Sequence, residues 1–322
     1  NKRAKDKLIV AIVGGSVARD LYRHSREVIT SELKKIPAYK NKEIKIISMS
    51  LGGFKQPQQL LALTYFYSLG AEFDIVINLD GFNEIVLPFS DNLTQGIYPY
   101  YPRNWIAIAR KGLSADSIRL VGKLSVLREE REKERNNFAG SVLRHSRFFL
   151  TLWEIKDAKN RKAQFDTNML ITEEGKKEKL SNQVTGPFKK YKNKEIFFTE
   201  MTEFWRRSSE QIEVMSKARG TRYFHFLQPN QYHKGSKVLT KVEERTAIDK
   251  SLYYIDAVEQ GYGGVIEAGG ELRKAGVNFF DLTGIFKDVK ETIYIDACCH
   301  YNKKGNDMIA REIVRDIAKS AE

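Results

Sequence analysis

The sequence has little of several features on which particular classes of protein depend. It holds two cysteines in 322 residues, too few for a disulfide framework, and its five histidines argue against a site for several metal ions. No apolar run reaches the roughly 18 residues that a membrane span needs, and no secretory signal is present. The loops G-x-G-x-x-G and G-x-x-x-x-G-K-[ST], which bind nucleotides, do not follow any predicted strand. We therefore predict a globular protein with no metal and no cofactor.

Charge is the most uneven feature of the composition. Lysine and arginine number 54 against 41 aspartates and glutamates, a net charge of +13 that attracts anions. The basic residues are spread along the chain without a nucleic-acid motif, so we predict no nucleic-acid partner; an acidic glycan or a membrane surface fits better. The chain begins at Asn1 rather than Met, and a signal or anchor could have preceded it. We expect an extracytoplasmic protein, periplasmic or membrane-anchored, with peripheral or anchored membrane association.

Apolar runs and glycine turns alternate in the first part of the chain. The runs at 8–13 (LIVAIV), 44–49 (IKIISM) and 73–79 (FDIVINL) predict strands. Helical patterns at 17–35 and 57–69 separate them. This order predicts a parallel sheet with right-handed crossovers. Each strand ends in a glycine-bearing turn, at the edge where ligands bind in open α/β sheets.

The middle of the chain is mostly helical and charged. We expect residues 100–198 to form a helical insertion within a single domain of residues 1–322, and 148–155 (FFLTLWEI) to be apolar enough to dock on something. The sheet pattern then returns, with strands predicted at 221–227 and 277–282 and helices at 200–219, 241–260 and 303–318.

Ser16 stands where a nucleophile would be useful. It follows Gly14 and Gly15 at the end of the first strand, where a helix opens. Its hydroxyl would lie at the rim of the sheet, and its N–H near a helix N-terminus, where developing negative charge is stabilised. Two other interpretations stay open, since Ser16 could cap the helix or the turn could bind a phosphate.

Three further turns carry residues that could serve the same chemistry. Gly52 and Gly53 let a backbone N–H approach a ligand, or form a plain turn. Asn83 could aim its amide at an oxyanion, or form an Asx turn or helix cap. His300 is the expected general base with Asp296 orienting it, although a lone histidine is more often structural.

Taken together, the four turns resemble the blocks of the SGNH (GDSL-like) hydrolase superfamily, over the first 85 residues and the C-terminal end. The resemblance implies an α/β fold, a flavodoxin-like three-layer α/β/α sandwich with a parallel sheet, here with a helical insertion. It implies that Ser16 is the nucleophile, His300 the base and Asp296 its partner. It also implies an oxyanion hole made by the N–H groups of Ser16 and Gly53 and the amide of Asn83.

Three positions depart from the pattern of that family. Gly15 and Glu84 stand where the family usually has aspartate. Asp296 precedes His300 by four residues, whereas the family spacing is three.

The resemblance implies a serine esterase that removes an O-acyl group, expected to be O-acetyl, from a carbohydrate or another small ester. A polysaccharide O-acyltransferase with the same Ser–His chemistry, and a non-catalytic glycan-binding relative, stay open. We also predict that the substrate contacts Gly52, Glu84 and the loop residues Gln228, Asn230 and Tyr232.

Some remaining residues have two interpretations. The aromatic segment 98–105 (YPYYPRNW) could form a carbohydrate platform or pack in a core. Cys298 and Cys299 are adjacent, and we expect small side chains flanking the site, not a disulfide or metal ligands. His225 lies in a predicted strand, and we expect a structural or surface role.

Overall fold

The computed structural model describes residues 2–108, 114–177, 182–187, 189–250 and 252–320. The chain divides into two compact units, one of residues 1–91 with 190–322 and the other of residues 92–189. The predicted insertion, 100–198, overlaps the second unit, but its last residues belong to a helix of the first.

The strands and helices are as follows. The strands are β1 (Lys7–Gly14), β2 (Glu43–Ser48), β3 (Ile75–Asp80), β4 (Arg222–Leu227) and β5 (Asn278–Asp281). The helices are α1 (Ser16–Leu33), α2 (Gln58–Ser68), α3 (Phe82–Leu87), α4 (Trp105–Ile108), α5 (Ala115–Gly140), α6 (Arg147–Lys177), α7 (Asn182–Thr185), α8 (Lys194–Ala218), α9 (Lys241–Thr246), α10 (Tyr254–Lys274) and α11 (Lys303–Lys319).

The first unit is built on a parallel sheet with strand order β2-β1-β3-β4-β5. β1 and β3 are central and almost wholly buried, which explains their continuous apolar sequences. β2 lies at the edge and alternates in exposure, so it tolerates Glu43 and Lys45.

Helices cover both faces of this sheet. α1 leads from β1 to β2, and α2 leads back across β1 to β3, so right-handed crossovers put the two helices on opposite faces. α11 packs against α1, while α8 packs against both α2 and α10. The predicted three-layer α/β/α sandwich is confirmed, with the strand order of flavodoxin-like folds.

One predicted helix of the first unit is wrong. The pattern at 241–260 predicts a single helix, but the structure has α9 and α10 with a break between them. The break follows tertiary hydrogen bonds: the carbonyl of Ala247 accepts from Gln231, and the N–H of Asp249 donates to the hydroxyl of Tyr232. Neither bond has a local sequence signal.

The second unit contains a long helical hairpin, α5 packed against α6. Two bonds from the Arg131 guanidinium to Asp157, at 2.6 and 3.1 Å, join the helices. A small apolar core contains the following residues: Ile97, Tyr101, Trp105, Leu120, Val121, Leu124, Ile171 and Val184. Two residues of the aromatic segment 98–105, Tyr101 and Trp105, therefore contribute to packing, as one of the two interpretations expects.

Within the described ranges, no helix combines the length and the apolar character needed to span a membrane.

Candidate active site

The first unit brings two of the predicted turns to the point where the strand order of its sheet reverses, between β1 and β3. The chain leaves β1 toward β2 on one side and β3 pairs with β1 on the other. In open α/β sheets a crevice forms at such a point, outside the carboxyl ends of the strands. Ser16 directly follows β1, and Asn83 directly follows β3. Both residues therefore lie at this crevice.

Ser16 is the first residue of α1. The residue that caps this helix is Gly15, which has no side chain, so the hydroxyl of Ser16 is not the cap. Its Oγ lies 2.7 Å from Nε2 of His300, a residue 284 positions away in the sequence.

The two glycines before Ser16 are both required by close approaches. Gly14 has φ +142°, and a Cβ there would lie 2.3 Å from the carbonyl oxygen of Leu79. Gly15 has an ordinary φ of −85°, so its backbone would accept another residue. A Cβ at position 15 would, however, lie 2.2 Å from Nδ2 of Asn83. The amide of Asn83 occupies that space, so a side chain at position 15 would require the amide to move.

The imidazole of His300 bridges Ser16 and Asp296. Its Nδ1 lies 2.5 Å from Oδ2 of Asp296 while its Nε2 faces the serine. The other carboxylate oxygen of Asp296 accepts from three successive backbone N–H groups, those of residues 298, 299 and 300, at 2.9–3.3 Å. These bonds close a tight turn, so the four-residue spacing still brings the carboxylate to the imidazole.

The charges of this pair stabilise each other. Burial acts to lower the pKa of His300, but the hydrogen bond and charge of Asp296 raise it to about 9. Burial acts to raise the pKa of Asp296, yet the bonds from His300 and from the backbone hold it below its usual range. At neutral pH the resting pair is therefore an imidazolium beside a carboxylate.

Three side chains of the loop after β4 donate hydrogen bonds to the backbone of this turn. Gln231 donates to the carbonyl of Asp296 at 2.9 Å, Tyr232 to that of Ala297 at 2.7 Å, and Asn230 to that of Cys298 at 3.2 Å. These three hydrogen bonds fix the backbone that carries Asp296 and His300.

The predicted substrate-binding role of this loop is corrected by its burial. Gln228 is 4% exposed, Asn230 0% and Tyr232 8%. The side chains of Asn230 and Tyr232 are bonded to the turn that carries His300, so they position it, and Gln228 is likewise buried and does not face a substrate.

One predicted oxyanion donor, the amide of Asn83, lies beside Gly15, the residue before Ser16. The amide of Asn83 donates to the carbonyl of Phe54 at 2.7 Å, and that carbonyl oxygen would lie 3.2 Å from a Cβ on Gly15. The second N–H of this amide is left for another acceptor. Among the described residues, nothing accepts from the N–H of Gly53. Gly52 is exposed, and the Arg19 guanidinium lies beside it.

Glu84 joins the segment after β2 that contains Gln56 to the turn after β3. Its carboxylate accepts from the N–H of Gln56 at 3.0 Å, from the amide of Gln59 at 2.9 Å and from the N–H of Gly81 at 2.8 Å. Burial and the neighbouring Asp80 raise the pKa of Glu84 to about 8. Since Glu84 is 4% exposed, its predicted contact with substrate is corrected to a positioning role.

A second Ser–His–Asp chain lies in the core. Nε2 of His225 is 2.7 Å from Oδ1 of Asp80, and Nδ1 is 2.8 Å from Oγ of Ser209. Trp205 also donates to Asp80, at 2.8 Å. Burial opposes the charge of Asp80, but His225 and the hydrogen-bond donors lower its pKa. His225 is 0% exposed, so the expected structural role is correct and the expected surface role is wrong.

Sequence reasoning missed the polar residues that support the site. Gln56, Gln59 and Gln231 are each nearly buried and bonded to the turns described above. Glutamines beside Pro57, at the start of an apolar helix, were a usable signal. The pairing of Asp80 with His225 had none, since it depends on the register of β3 against β4.

The two cysteines flank His300 as free thiols. Their sulfur atoms lie 3.2 Å apart, and Cys299 is buried. Cys298, Cys299 and His300 offer ligand atoms within 4.8 Å of one another. Both nitrogens of His300 are already bonded, to Ser16 and Asp296, so a metal here would have to break one of those bonds.

No family model and no curated protein matches the sequence. Solved structures do resemble the chain. A GDSL-like lipase from Bacteroides thetaiotaomicron shares 9% identity and a TM-score of 0.46, over 100% of this chain and 93% of that one.

Two acetyl-carbohydrate esterases are also among these structures. A variant of an acetyl-xylooligosaccharide esterase from Geobacillus shares 10% identity over 98% of this chain and 96% of that one, with a TM-score of 0.44. An acetyl xylan esterase shares 12% identity over 98% and 100%, with a TM-score of 0.40. The solved structures to which this chain is similar thus include GDSL-like lipases and acetyl xylan esterases.

Proposed function

We propose that this chain is an ester hydrolase of SGNH type that removes O-acyl groups through an acyl-enzyme. Ser16 is the nucleophile, His300 the general base and Asp296 the residue that orients and charges the imidazole. The observation that carries this proposal is the continuous chain from Ser16 through His300 to Asp296, with contacts of 2.7 and 2.5 Å.

In the acylation step, the neutral imidazole of His300 takes the proton of the Ser16 hydroxyl while Oγ attacks the ester carbonyl. The C–O bond to the alcohol then breaks, and the imidazolium returns its proton to that alcohol. Asp296 stays ionised throughout and stabilises the imidazolium. A water molecule deprotonated by His300 attacks the acyl-enzyme, which releases the acid and restores Ser16.

The oxyanion that forms in both steps needs hydrogen-bond donors that are already in place. The N–H of Ser16 stands at the start of α1, where the helix favours negative charge. The unoccupied N–H of Gly53 and the amide of Asn83 supply the other two donors. Glu84 and Gln56 keep the loops that carry these donors together.

A fluorophosphonate probe tests the proposal directly, because it reacts with an activated serine and stays attached. We expect labelling of the native protein at Ser16 and none in Ser16→Ala. Ser31→Ala is the matched control, since Ser31 lies on the same helix, is exposed and bonds only Val28. Absence of labelling together with no hydrolysis of p-nitrophenyl acetate would instead favour a non-catalytic binding protein.

We propose that the acyl group is attached to a carbohydrate, and this part of the proposal rests on the sequence alone. Some of the residues that suggested a carbohydrate have other contacts: Tyr101 and Trp105 pack against a core, and Tyr232 donates to the carbonyl of Ala297. Acetate release from acetylated xylo-oligosaccharides, compared with p-nitrophenyl acetate, tests the carrier separately from the chemistry. Products formed with added glycan distinguish hydrolysis from transfer to a sugar hydroxyl. An extracytoplasmic location likewise stays a proposal, which fractionation of cells would test.

A further inference from the structure

The turn between α5 and α6 exposes an unusual amount of apolar surface. We call residues 135–152, from the end of α5 to the start of α6, the hairpin tip. Its exposed apolar side chains are Val142, Leu143, Phe148, Phe149, Leu150 and Leu152. Val142 is 82% exposed and Phe148 66%, although burial of such side chains is strongly favourable in water. Contiguous surface of this kind marks an interaction site.

The directions of these side chains indicate what covers them. Phe148, Phe149 and Leu150 are consecutive residues of α6, so they point about 100° apart around the helix axis. All three are exposed. A partner protein, or a second copy of this chain, would cover one stripe of the helix and leave another in water. An apolar medium that surrounds the end of the hairpin would cover them all.

The charge of the hairpin tip points to the same conclusion. From residue 135 to residue 152 the sequence contains no aspartate or glutamate, and its charged residues are Arg135, Arg144 and Arg147. Arg144 and Arg147 are exposed and lie in the turn between the apolar residues Leu143 and Phe148. Basic side chains beside exposed apolar ones bind the headgroups of anionic lipids, while the apolar groups enter the boundary of the acyl chains.

Contacts between α5 and α6 also hold the hairpin together, both behind its tip and within it. The Arg131 guanidinium binds Asp157, and the rings of Phe138 and Trp153 stack with their centroids 5.3 Å apart. These contacts join α5 to α6, so the exposed residues do not need to be ordered on binding, which would weaken the association.

We propose that the hairpin tip docks this protein on an anionic lipid bilayer by inserting its apolar side chains at the interface. The anchoring lies in the second unit and does not depend on the esterase chemistry proposed for the first. It also differs from an anchor preceding Asn1, since it requires only residues of the folded hairpin.

Vesicle co-sedimentation of the full chain tests this proposal. We expect binding to vesicles of phosphatidylcholine with about a third phosphatidylglycerol, weaker binding at high salt, and little binding to pure phosphatidylcholine. Phe148→Ser with Phe149→Ser should weaken partitioning about tenfold, because two inserted rings are lost. Arg144→Glu with Arg147→Glu should do the same through charge, at about fivefold or more per site.

Matched controls keep the outcomes distinct. Leu61→Ser with Leu69→Ser removes two exposed apolar residues, Leu61 in α2 and Leu69 directly after it, and Arg119→Glu with Lys123→Glu reverses two charges at the other end of α5. Both controls should bind like the native chain. Equal losses in tip and control variants would overturn the proposal. It would also be overturned if the native chain ignored anionic vesicles but formed a dimer that Phe148→Ser with Phe149→Ser dissolved, since a second copy would then cover the tip.

Discussion

The described residues of the first unit contain two Ser–His–Asp chains, and we propose that the one at the rim of the sheet is the reactive one. Ser16, His300 and Asp296 are joined by contacts of 2.7 and 2.5 Å, while in the core Ser209, His225 and Asp80 are joined at 2.8 and 2.7 Å. Distances therefore do not separate the two.

What separates them is access and orientation. The His300 side chain is 20% exposed, whereas that of His225 is 0% exposed. His300 meets its serine through Nε2, while His225 meets its serine through Nδ1. Ser16 is the first residue of α1 and follows two glycines, whereas Ser209 lies within α8. The proposed reactivity of Ser16 thus depends on its place at the rim as well as on its two partners.

Replacing each serine by alanine should give the largest difference in activity between the two chains. Ser16→Ala should lower kcat/KM for p-nitrophenyl acetate on the order of 10⁴- to 10⁶-fold, because the nucleophile is lost. Ser209→Ala should keep the activity within a few-fold and lower the free energy of unfolding by about 1–3 kcal/mol, through the lost hydrogen bonds to His225 and Tyr223. Kinetics and urea unfolding measure both effects. If Ser209→Ala abolished activity in a folded protein, the comparison would fail.

Removing the carboxylates should separate stability from catalysis. Asp80→Ala leaves His225 and Trp205 without their buried partner and should lower the free energy of unfolding by about 3–5 kcal/mol. Asp296→Ala lies at the partly exposed rim and should lower it by about 1 kcal/mol or less, while kcat falls about 10⁴-fold. Chemical unfolding with parallel assays tests this. Equal losses of stability in the two variants would show that the pair of Asp296 and His300 also stabilises the fold.

The oxyanion donor gives an intermediate effect that the core chain cannot show. Asn83→Ala should lower kcat about 10²- to 10³-fold, since one preorganised donor disappears. Fluorophosphonate labelling should persist at a lower rate, because Ser16 and His300 are unchanged. Asn306→Ala, which removes another nearly buried amide, is a control expected to keep kcat. If Asn83→Ala kept the native kcat, the amide would play no part in the mechanism.

The pH dependence gives the smallest and most specific effect. Because the pKa of His300 is raised to about 9 and catalysis needs the neutral base, kcat/KM should rise about tenfold per pH unit from 6 to 8 and level off above 9. In Asp296→Asn the rising part of this pH profile should move toward the ordinary histidine pKa of 6.5. A rising part that stays in place in Asp296→Asn would contradict the assigned partner.

Protein stability should respond to the same titration. The pKa of His300 is higher in the folded chain than in the unfolded chain, so its contribution is complete below about pH 6.5 and is lost as the pH rises through about 9. Unfolding of His300→Gln across this range provides the reference.

The sequence predicts the order of strands, helices and turns in the sheet well, because the patterns that indicate them are local. The apolar runs of β1 and β3 and the glycines at 14 and 15 fix where strands end and helices begin. Where several such turns end parallel strands, they meet at one edge by topology alone. For that reason Ser16 and Asn83 could be predicted as neighbours from residues 67 positions apart.

The rest depends on contacts that no local pattern records. Glu84 and Tyr232 were predicted to meet the substrate, but tertiary packing turns both inward. The role of Asp80 requires His225 to arrive on the adjacent strand. The break before α10 likewise follows from a hydroxyl of a distant loop.

Position 15 has a consequence for how this protein can vary. Its backbone would accept an alanine, but the volume of that methyl group is taken by the amide of Asn83. An alanine at 15 would therefore have to displace the Asn83 amide from its bond to the carbonyl of Phe54. A substitution at this position would thus be expected to move a donor carried by a residue 68 positions further along the chain.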